Sequence, residues 1–424
     1  MIKGPVLTMT LSTPPKPKLL IVGNGMVAGR LLDQLLSRNP EKYDITVIGA
    51  EDQGSYNRIL LSSVLAKDAT SHSIVQKDQH WYRSRGIRFI SGTTVNQINK
   101  AQRWVSTDTQ QQVHYDELIL ATGSRAARIP AKNLDLEKIF FFRTLADTQA
   151  MMAIAQQVSN VIVVGGGLLG LEAAYGLAKF GSKVTVVHRS PWLLNRQLDQ
   201  HSAVMLQSTM AAMGIEFELN DEIDSFHGEQ AITGATLQSG KTLQASMAVI
   251  ATGITPNIEL GIDAGLVGSR AIVVDDYMQT RSPQISALGE CIEHRGQTFG
   301  LVDPLWRQAE TLAARLAQDT LLPFKNQATA TKLKVSGVQV FSAGEVQQRE
   351  GLRAVYVEDK QAKIYRKLLL DNGIIKGIVL FGDVRSGAHY FELMQQQTNV
   401  SAQLPNLIFG QELAALDKQK ILAA

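Results

Sequence analysis

The sequence predicts an α/β fold: two similar parallel-sheet units, the second inserted into the first, followed by a small α+β domain. Two observations carry this. A glycine-rich turn stands twice between an apolar run and a helical stretch: Gly23-Asn24-Gly25-Met26-Val27-Ala28 after Leu19-Leu20-Ile21-Val22, and Gly165-Gly166-Gly167-Leu168-Leu169-Gly170 after Val161-Ile162-Val163-Val164. Each unit then closes on the same tripeptide, Ala121-Thr122-Gly123 and Ala251-Thr252-Gly253. A strand, a tight glycine turn and a helix form the fingerprint of a Rossmann-like dinucleotide-binding unit. Two such units point to two dinucleotides, a nicotinamide and a flavin.

Taken in order, Arg30 to Ser37 has helical periodicity and Ile45-Thr46-Val47-Ile48 reads as the second strand, closing a βαβ unit. Ser55-Tyr56-Asn57-Arg58 leads into a polar helical region to Arg85. Ile87 to Ile90 and Glu117 to Leu120 are further strands. Phe140-Phe141-Phe142-Arg143-Thr144 and a helix to Val158 bridge to the second unit. There Leu171 to Phe180 continues a helix that Gly181 ends. Val184 to Val187, Ile215 to Phe217 and Ala248 to Ile250 are its strands. The fingerprints lie roughly 130–140 residues apart, one domain's length. Ile285 to Glu290 reads as a strand of the first domain resumed. From about Thr331 the pattern changes to short β segments, with Lys363 to Leu370 and Gly377 to Leu380 paired as a hairpin.

The expected division is a disordered leader over 1–17, a discontinuous FAD-binding domain over 18–125 and 255–325, an NAD(P)-binding domain over 126–254, and a C-terminal α+β interface domain over 326–424.

Composition narrows the chemistry. The 424 residues are 45% hydrophobic and carry a formal charge of +3, with no basic run of the kind nucleic-acid binding uses. Cys291 is the only cysteine. A redox disulfide, a cysteine-ligated iron–sulfur cluster and a thiolate metal cage are therefore ruled out within these residues. The histidines show no metal-ligand spacing, so no metal is expected. No run of eighteen apolar residues appears, and no membrane span is expected. Thiol scarcity fits a reducing cytoplasm.

Each fingerprint residue has a reason. A pyrophosphate must approach a helix start, where unpaired N–H groups and the helix dipole favour anionic oxygens. Gly23 and Gly165 allow the tight turn, and Gly25 and Gly167 leave room for phosphate. Ala28 and Gly170 let helix pack on strand. Met26, Leu168 and Leu169 occupy the helix starts. The acid that usually grips a ribose stands weakly in the first unit, where Gly49-Ala50 fill the usual place and Glu51 follows; a solvated loop acid is the equal alternative. In the second unit His188-Arg189 fill that place. Arg189 would attract a 2′-phosphate, so NADPH is permitted, with NADH and an exposed Arg189 as the alternative. Asp303 and Pro304 read as the N-cap and first residue of a helix to Gln318. Glu172, just inside the second fingerprint helix, is the candidate to reach a nicotinamide or the flavin edge.

Several segments carry a resemblance. Gly23 to Gly29, Tyr43 to Val47 and Tyr56-Asn57-Arg58-Ile59-Leu60-Leu61-Ser62 resemble the flavoprotein part of the NAD(P)H-dependent nitrite reductase large subunit and the electron-transfer component of assimilatory nitrate reductase. Arg196-Gln197-Leu198-Asp199, Gly289 to Gln297, Gly300 to Leu305 and Thr331 to Val338 are similar too. The wider family is that of two-dinucleotide flavoproteins such as rubredoxin and ferredoxin reductases. The resemblance implies FAD in the first domain and NAD(P)H in the inserted one. It implies that Gly23, Gly25, Ala28, Arg143, Gly289, Glu290 and Val302 contact FAD, with Val95 near the adenine; Arg58 and Leu301 are further candidate cofactor-binding residues. It places Glu172 near the nicotinamide.

Two departures stand out: Ser63 occupies a place where relatives often carry a flavin-side lysine, and Glu290 replaces a shorter aspartate. The large subunits continue into cysteine-rich and sirohaem domains that these residues lack. The expectation is therefore a FAD-dependent NAD(P)H reductase feeding a separate redox protein, a nitrate or nitrite reductase subunit. Alternatives are a rubredoxin- or ferredoxin-type carrier as acceptor, an oxygen-consuming NAD(P)H oxidase, or a redox-sensing switch. The sequence leaves oligomeric state open.

Overall fold

The computed structural model describes residues 14–410 except 321 and 336. The leader expected over 1–17 falls mostly outside the described residues; Pro14 to Pro17 are exposed and without regular structure. The chain divides into two compact units. The first holds the described residues to Tyr56 with Val75–Ser124 and Pro256–Lys325; the second holds Asn57–Ile74, Arg125–Thr255 and the residues from Asn326 onward.

In the first unit five parallel strands lie in the order Ile285–Ala287, Glu117–Leu120, Lys18–Val22, Asp44–Ile48, Arg88–Ile90. Strands buried on both faces need continuous apolar runs, and Leu19, Leu20 and Ile21 are at most 1% exposed. The helix Met26–Arg38 buries Val27, Ala28, Leu31, Leu32 and Leu35 along one stripe. Each fully buried Leu contributes about 1.5–3 kcal/mol, so this stripe fixes the helix against the sheet. Ile285–Ala287 pairs with Glu117–Leu120, so the strand expected to resume after the insertion does so. An antiparallel sheet of Val95–Asn99, Trp104–Thr107 and Gln112–His114 adds to the same core.

The second unit repeats the plan in the order Ile139–Phe141, Met247–Ile250, Asn160–Val164, Lys183–His188, Ile215–Leu219, again parallel. Its later part is a five-stranded antiparallel sheet in the order Ala330–Val335, Val338–Gly344, Ile374–Phe381, Ile364–Asp371, Arg353–Asp359. The helix Gly387–Gln395 joins its core through Tyr390, Leu393 and Met394. The predicted hairpin is the Ile364–Asp371 and Ile374–Phe381 pair.

Two local expectations are corrected. The stretch from Ser55 to Arg85 is not one helical region: it holds a 3₁₀ turn at Arg58–Leu60, helices at Leu61–Leu65 and Gln79–Arg83, and strands at Ser55–Tyr56 and Val75–Lys77. Its Ser and Thr side chains compete for the backbone; Thr70 and Ser73 hydrogen-bond each other's N–H and break the helix. The helix expected from Asp303 is Val302–Ala317, with Leu301 as N-cap. Asp303 therefore lies in the first turn, paired with Arg307 at 3.0 Å. Pro304 is tolerated there because a first-turn N–H has no helical partner.

Among the described residues no helix is long and apolar enough to cross a membrane. No group of three His, Cys, Asp or Glu side chains is placed to hold a metal.

Candidate dinucleotide-binding turns

The two glycine turns have the same construction. Gly23 has φ +106° and Gly165 φ +122°, both left-handed. A Cβ on Gly23 would stand 2.2 Å from the Ala121 carbonyl oxygen, and one on Gly165 would stand 2.4 Å from that of Ala251. The turn is thus pressed against the neighbouring strand end, and only glycine fits. The N–H of Gly23 donates to Ile48 O at 2.8 Å and that of Gly165 to Val187 O at 2.9 Å.

Gly25 and Gly167 differ in kind. They are the helix N-caps, extended in backbone, and offer no side-chain cap. A Cβ on either would meet nothing within 4 Å. Space in front of two uncapped helix starts, neither with an acid in its first turn, is what a pyrophosphate requires. The residues present therefore fit a dinucleotide at each turn. Behind the turns, Ala28 is 1% exposed, and a Cβ on Gly170 would stand 1.9 Å from Gly165 O. Met26, Leu168 and Leu169 are partly exposed at the helix starts.

Around the first turn the closing tripeptide is laced to the resumed chain. Thr122 Oγ1 donates to Asn257 O, and Asn257 Nδ2 donates back to Thr122 O, both at 2.9 Å. Gly123 has φ +65°. Ser124 Oγ donates to Glu290 Oε2 at 2.7 Å, so the longer acid folds back toward the tripeptide. The Gly289 N–H donates to Gln308 Oε1 at 2.8 Å, with Gln308 fully buried. A Cβ on Gly289 would press on Val27 Cγ1 at 2.9 Å. Gly289 and Glu290 are thereby brought to the first fingerprint helix. Ser124, Asn257 and Gln308 had no sequence signal beyond their neighbours.

Glu51 accepts the Tyr56 hydroxyl at 2.7 Å. Val95, 7% exposed, starts a strand and packs in the first unit's core. Leu301 is exposed and Val302 partly so at the start of their helix. Cys291 is fully buried, its Sγ 3.4 Å from Leu288 O and 3.6 Å from Leu120 O. Burial pushes its thiol pKa up, which opposes the thiolate that redox chemistry requires.

Around the second turn His188 and Arg189 end the strand Lys183–His188, with Arg189 exposed. The Gly166 N–H donates to His188 Nδ1 at 3.1 Å. Ala251, Thr252 and Gly253 follow their strand, Gly253 with φ +126° and its carbonyl accepting the Ala127 N–H at 3.0 Å. Glu172 lies in the helix Leu168–Ala178. Burial pushes its carboxyl pKa up, and a hydrogen bond with the Ser62 side chain partly offsets this. Arg58 Nη1 donates to Arg143 O at 3.2 Å. Asp147 accepts the N–H groups of Arg143 and Thr144 at 3.0 and 2.7 Å in a capping box. Arg58 and Arg143 both belong to the second unit.

Comparison with known proteins agrees with this construction. Residues 17–311 match the family model "Pyridine nucleotide-disulphide oxidoreductase", and residues 330–398 match "Rubredoxin NAD+ reductase C-terminal domain". The chain is 40% identical over 386 residues to the Nitrite reductase [NAD(P)H] of Bacillus subtilis (strain 168), covering 91% of this chain and 48% of that one. It is 38% identical to the Assimilatory nitrate reductase electron transfer subunit of the same organism, covering 91% of this chain and 50% of that one. It therefore spans about half the length of these relatives. The NADH:rubredoxin oxidoreductase from Clostridium acetobutylicum has a similar fold, with a TM-score of 0.76 at 22% identity over 95% of this chain and 100% of that one.

Proposed function

The chain belongs to the pyridine nucleotide-disulphide oxidoreductase family, and from that premise we propose that it is a FAD-dependent NAD(P)H reductase passing electrons to a separate redox protein. The observation that carries this is the pair of turns, each open in front of Gly25 and Gly167, in residues whose one cysteine is buried. NAD(P)H supplies a hydride, and FAD accepts it and releases electrons onward.

The first turn, Ala121 to Gly123 and Gly289-Glu290 hold FAD, with Val95, Leu301, Val302, Arg58 and Arg143 as further contacts. The second turn and Ala251 to Gly253 hold NAD(P)H, with His188 and Arg189 at its adenosine end. Glu172 orients the nicotinamide. The domain division is the FAD-binding, NAD(P)-binding and C-terminal arrangement stated from the sequence. With Cys291 the only cysteine in these residues, a flavin held here would have no thiol relay between it and the acceptor. The acceptor is a nitrate or nitrite reductase component in the cytoplasm, a choice supported by the two Bacillus relatives. The match to a rubredoxin reductase C-terminal domain favours a second reading, a small iron–sulfur or rubredoxin-like carrier as acceptor.

The test is anaerobic stopped-flow absorbance of the yellow protein mixed with NADH and then with NADPH. Fast bleaching of the flavin band by one of them supports the reductase and names the donor. No bleaching by either, with FAD bound, refutes hydride transfer and favours a switch. Rapid oxygen uptake in air without an added acceptor favours the oxidase.

A further inference from the structure

The two turns are held to their sheets by opposite means. The strand pairings align Val22 with Ile48 in the first unit and Val164 with Val187 in the second. Asn24 therefore corresponds to Gly166, and Gly49 to His188. Bulk and glycine have changed places. In the first unit the large residue is in the turn: a Cβ on Gly49 would stand 2.5 Å from Asn24 Oδ1, and Asn24 Nδ2 donates to Gln53 O at 2.9 Å. In the second the large residue ends the strand: a Cβ on Gly166 would stand 2.8 Å from His188 Cγ.

Gly166 is held through both of its backbone polar groups. Its N–H donates to His188 Nδ1 at 3.1 Å, and its carbonyl accepts the Leu194 N–H at 2.9 Å. The first hydrogen bond exists only while Nδ1 is unprotonated, since an imidazolium has two donors and no acceptor. Asn24 has no such dependence.

We propose that His188 is a positioning residue that makes the grip of the second turn on its dinucleotide pH-dependent, while the first turn is indifferent to pH over the same range. This rests on reading the second turn as the NAD(P)H site. Protonation sets the imidazolium N–H against the Gly166 N–H and releases the peptide that precedes the Gly167 helix start. Burial, and then the charge of Arg189, lower the His188 pKa from 6.5, so the neutral form prevails at pH 7. The other groups around the ring are Asn195 and the Trp192 backbone, which favour its protonated form and so oppose that shift, while Nε2 is buried without a hydrogen-bond partner among the described residues. Asp221 donates its N–H to His188 O at 3.3 Å. Glu218, on the adjoining strand, is paired with Lys241 at 2.6 Å. The fingerprint helix has no acid in its first turn.

The test measures ADP-ribose binding to the FAD-loaded protein by calorimetry from about pH 8 to about pH 5. ADP-ribose carries the pyrophosphate but neither a hydride nor a 2′-phosphate, whose own second ionisation near about pH 6 would interfere. Wild-type affinity should hold at neutral pH, then weaken by up to about tenfold per pH unit as the competent fraction falls. His188→Asn keeps an acceptor that does not titrate and should give a flat profile over the whole range, whatever its affinity at about pH 8. His188→Leu should bind weakly at every pH. FAD retention should stay constant throughout. A flat wild-type profile, or a wild-type slope retained in His188→Asn, overturns the proposal. No ADP-ribose binding at about pH 8 instead overturns the reading of the turn as a coenzyme site.

Discussion

Lys367 Nζ meets Asp199 Oδ2 at 2.7 Å, with the two side chains only 10% and 7% exposed. The same carboxylate accepts the Tyr365 hydroxyl at 3.0 Å and the Ser202 N–H and hydroxyl at 3.0 and 2.6 Å. Asp199 thereby caps the helix Gln200–Ala211 and ties it to the strand Ile364–Asp371. Breaking one side of a buried, hydrogen-bonded pair costs about 3–5 kcal/mol. Lys367→Met should lower the denaturation free energy by that order, and the double variant Asp199→Asn/Lys367→Met should recover part of it. A Lys367→Met protein as stable as wild type in urea would contradict this.

Burial raises the Asp199 pKa, but the hydrogen bonds from Lys367 and Ser202 outweigh it, so the net shift is downward from 3.8. Its stabilisation is therefore complete above the unfolded carboxyl's pKa and lost as pH falls through the lower folded value. Tyr365 shifts upward, through burial and then the Asp199 charge. Its contribution is present below pH 10 and lost as pH rises through the higher folded value. Denaturation midpoints across pH should fall at both extremes, and Tyr365→Phe should reduce the alkaline fall.

The glycines separate folding from binding. Gly23→Ala and Gly165→Ala place a Cβ against a carbonyl oxygen at 2.2 and 2.4 Å with φ positive, so both should distort their turns, costing more than about 1 kcal/mol each. Gly25→Ala and Gly167→Ala meet no protein atom within 4 Å. They should fold with unchanged midpoints yet lose ligand, FAD at Gly25 and coenzyme at Gly167, by tenfold or more (about 1.4 kcal/mol). Full FAD retention in Gly25→Ala would remove the first turn from the FAD site.

Much of this was legible because it is local. The apolar runs before each turn, the glycines themselves and the repeated Ala-Thr-Gly are short-range signals, and the parallel sheets follow from them. The start of the helix at Val302 was not, because Asp303 and Pro304 fit a cap and a first turn equally well. Nor was the broken stretch from Ser55 to Arg85, where side-chain hydrogen bonds such as the Thr70–Ser73 pair override a helical pattern. Long-range partners left no trace: nothing near Asp199 in sequence announces Lys367, and nothing in Glu290 announces Ser124. The exchange of bulk between Asn24/Gly49 and Gly166/His188 emerged only when strand register aligned the two units.

Glu172 separates stability from chemistry in a different way. Its carboxyl pKa is raised by burial, with Ser62 opposing. A raised folded pKa means that its contribution is fully present below the unfolded carboxyl's pKa and is lost as pH rises through the folded one. Glu172→Gln should therefore stabilise the protein more at about pH 8 than at about pH 4, read as the difference in melting temperature from wild type. If the carboxylate also orients the nicotinamide, Glu172→Ala should slow anaerobic flavin reduction while FAD stays bound. Unchanged reduction kinetics would leave it a structural acid.

Arg189 bears on the choice of donor. It is exposed at the end of the strand Lys183–His188, where an acid would repel a 2′-phosphate and a guanidinium attracts one. A charge-assisted hydrogen bond there is worth about 1.5–3 kcal/mol, or roughly ten- to a hundredfold in affinity. Arg189→Glu should therefore weaken NADPH by that factor and leave NADH within about threefold, measured as the coenzyme concentration giving half-maximal reduction rate. Equal losses for the two coenzymes would show that the guanidinium does not touch the 2′-phosphate. The substitution also removes a positive charge that helps hold the His188 pKa down, so the coenzyme-affinity profile should move to higher pH in this variant. That shift is the readout linking Arg189 to the Gly166 hydrogen bond, whichever coenzyme the protein prefers.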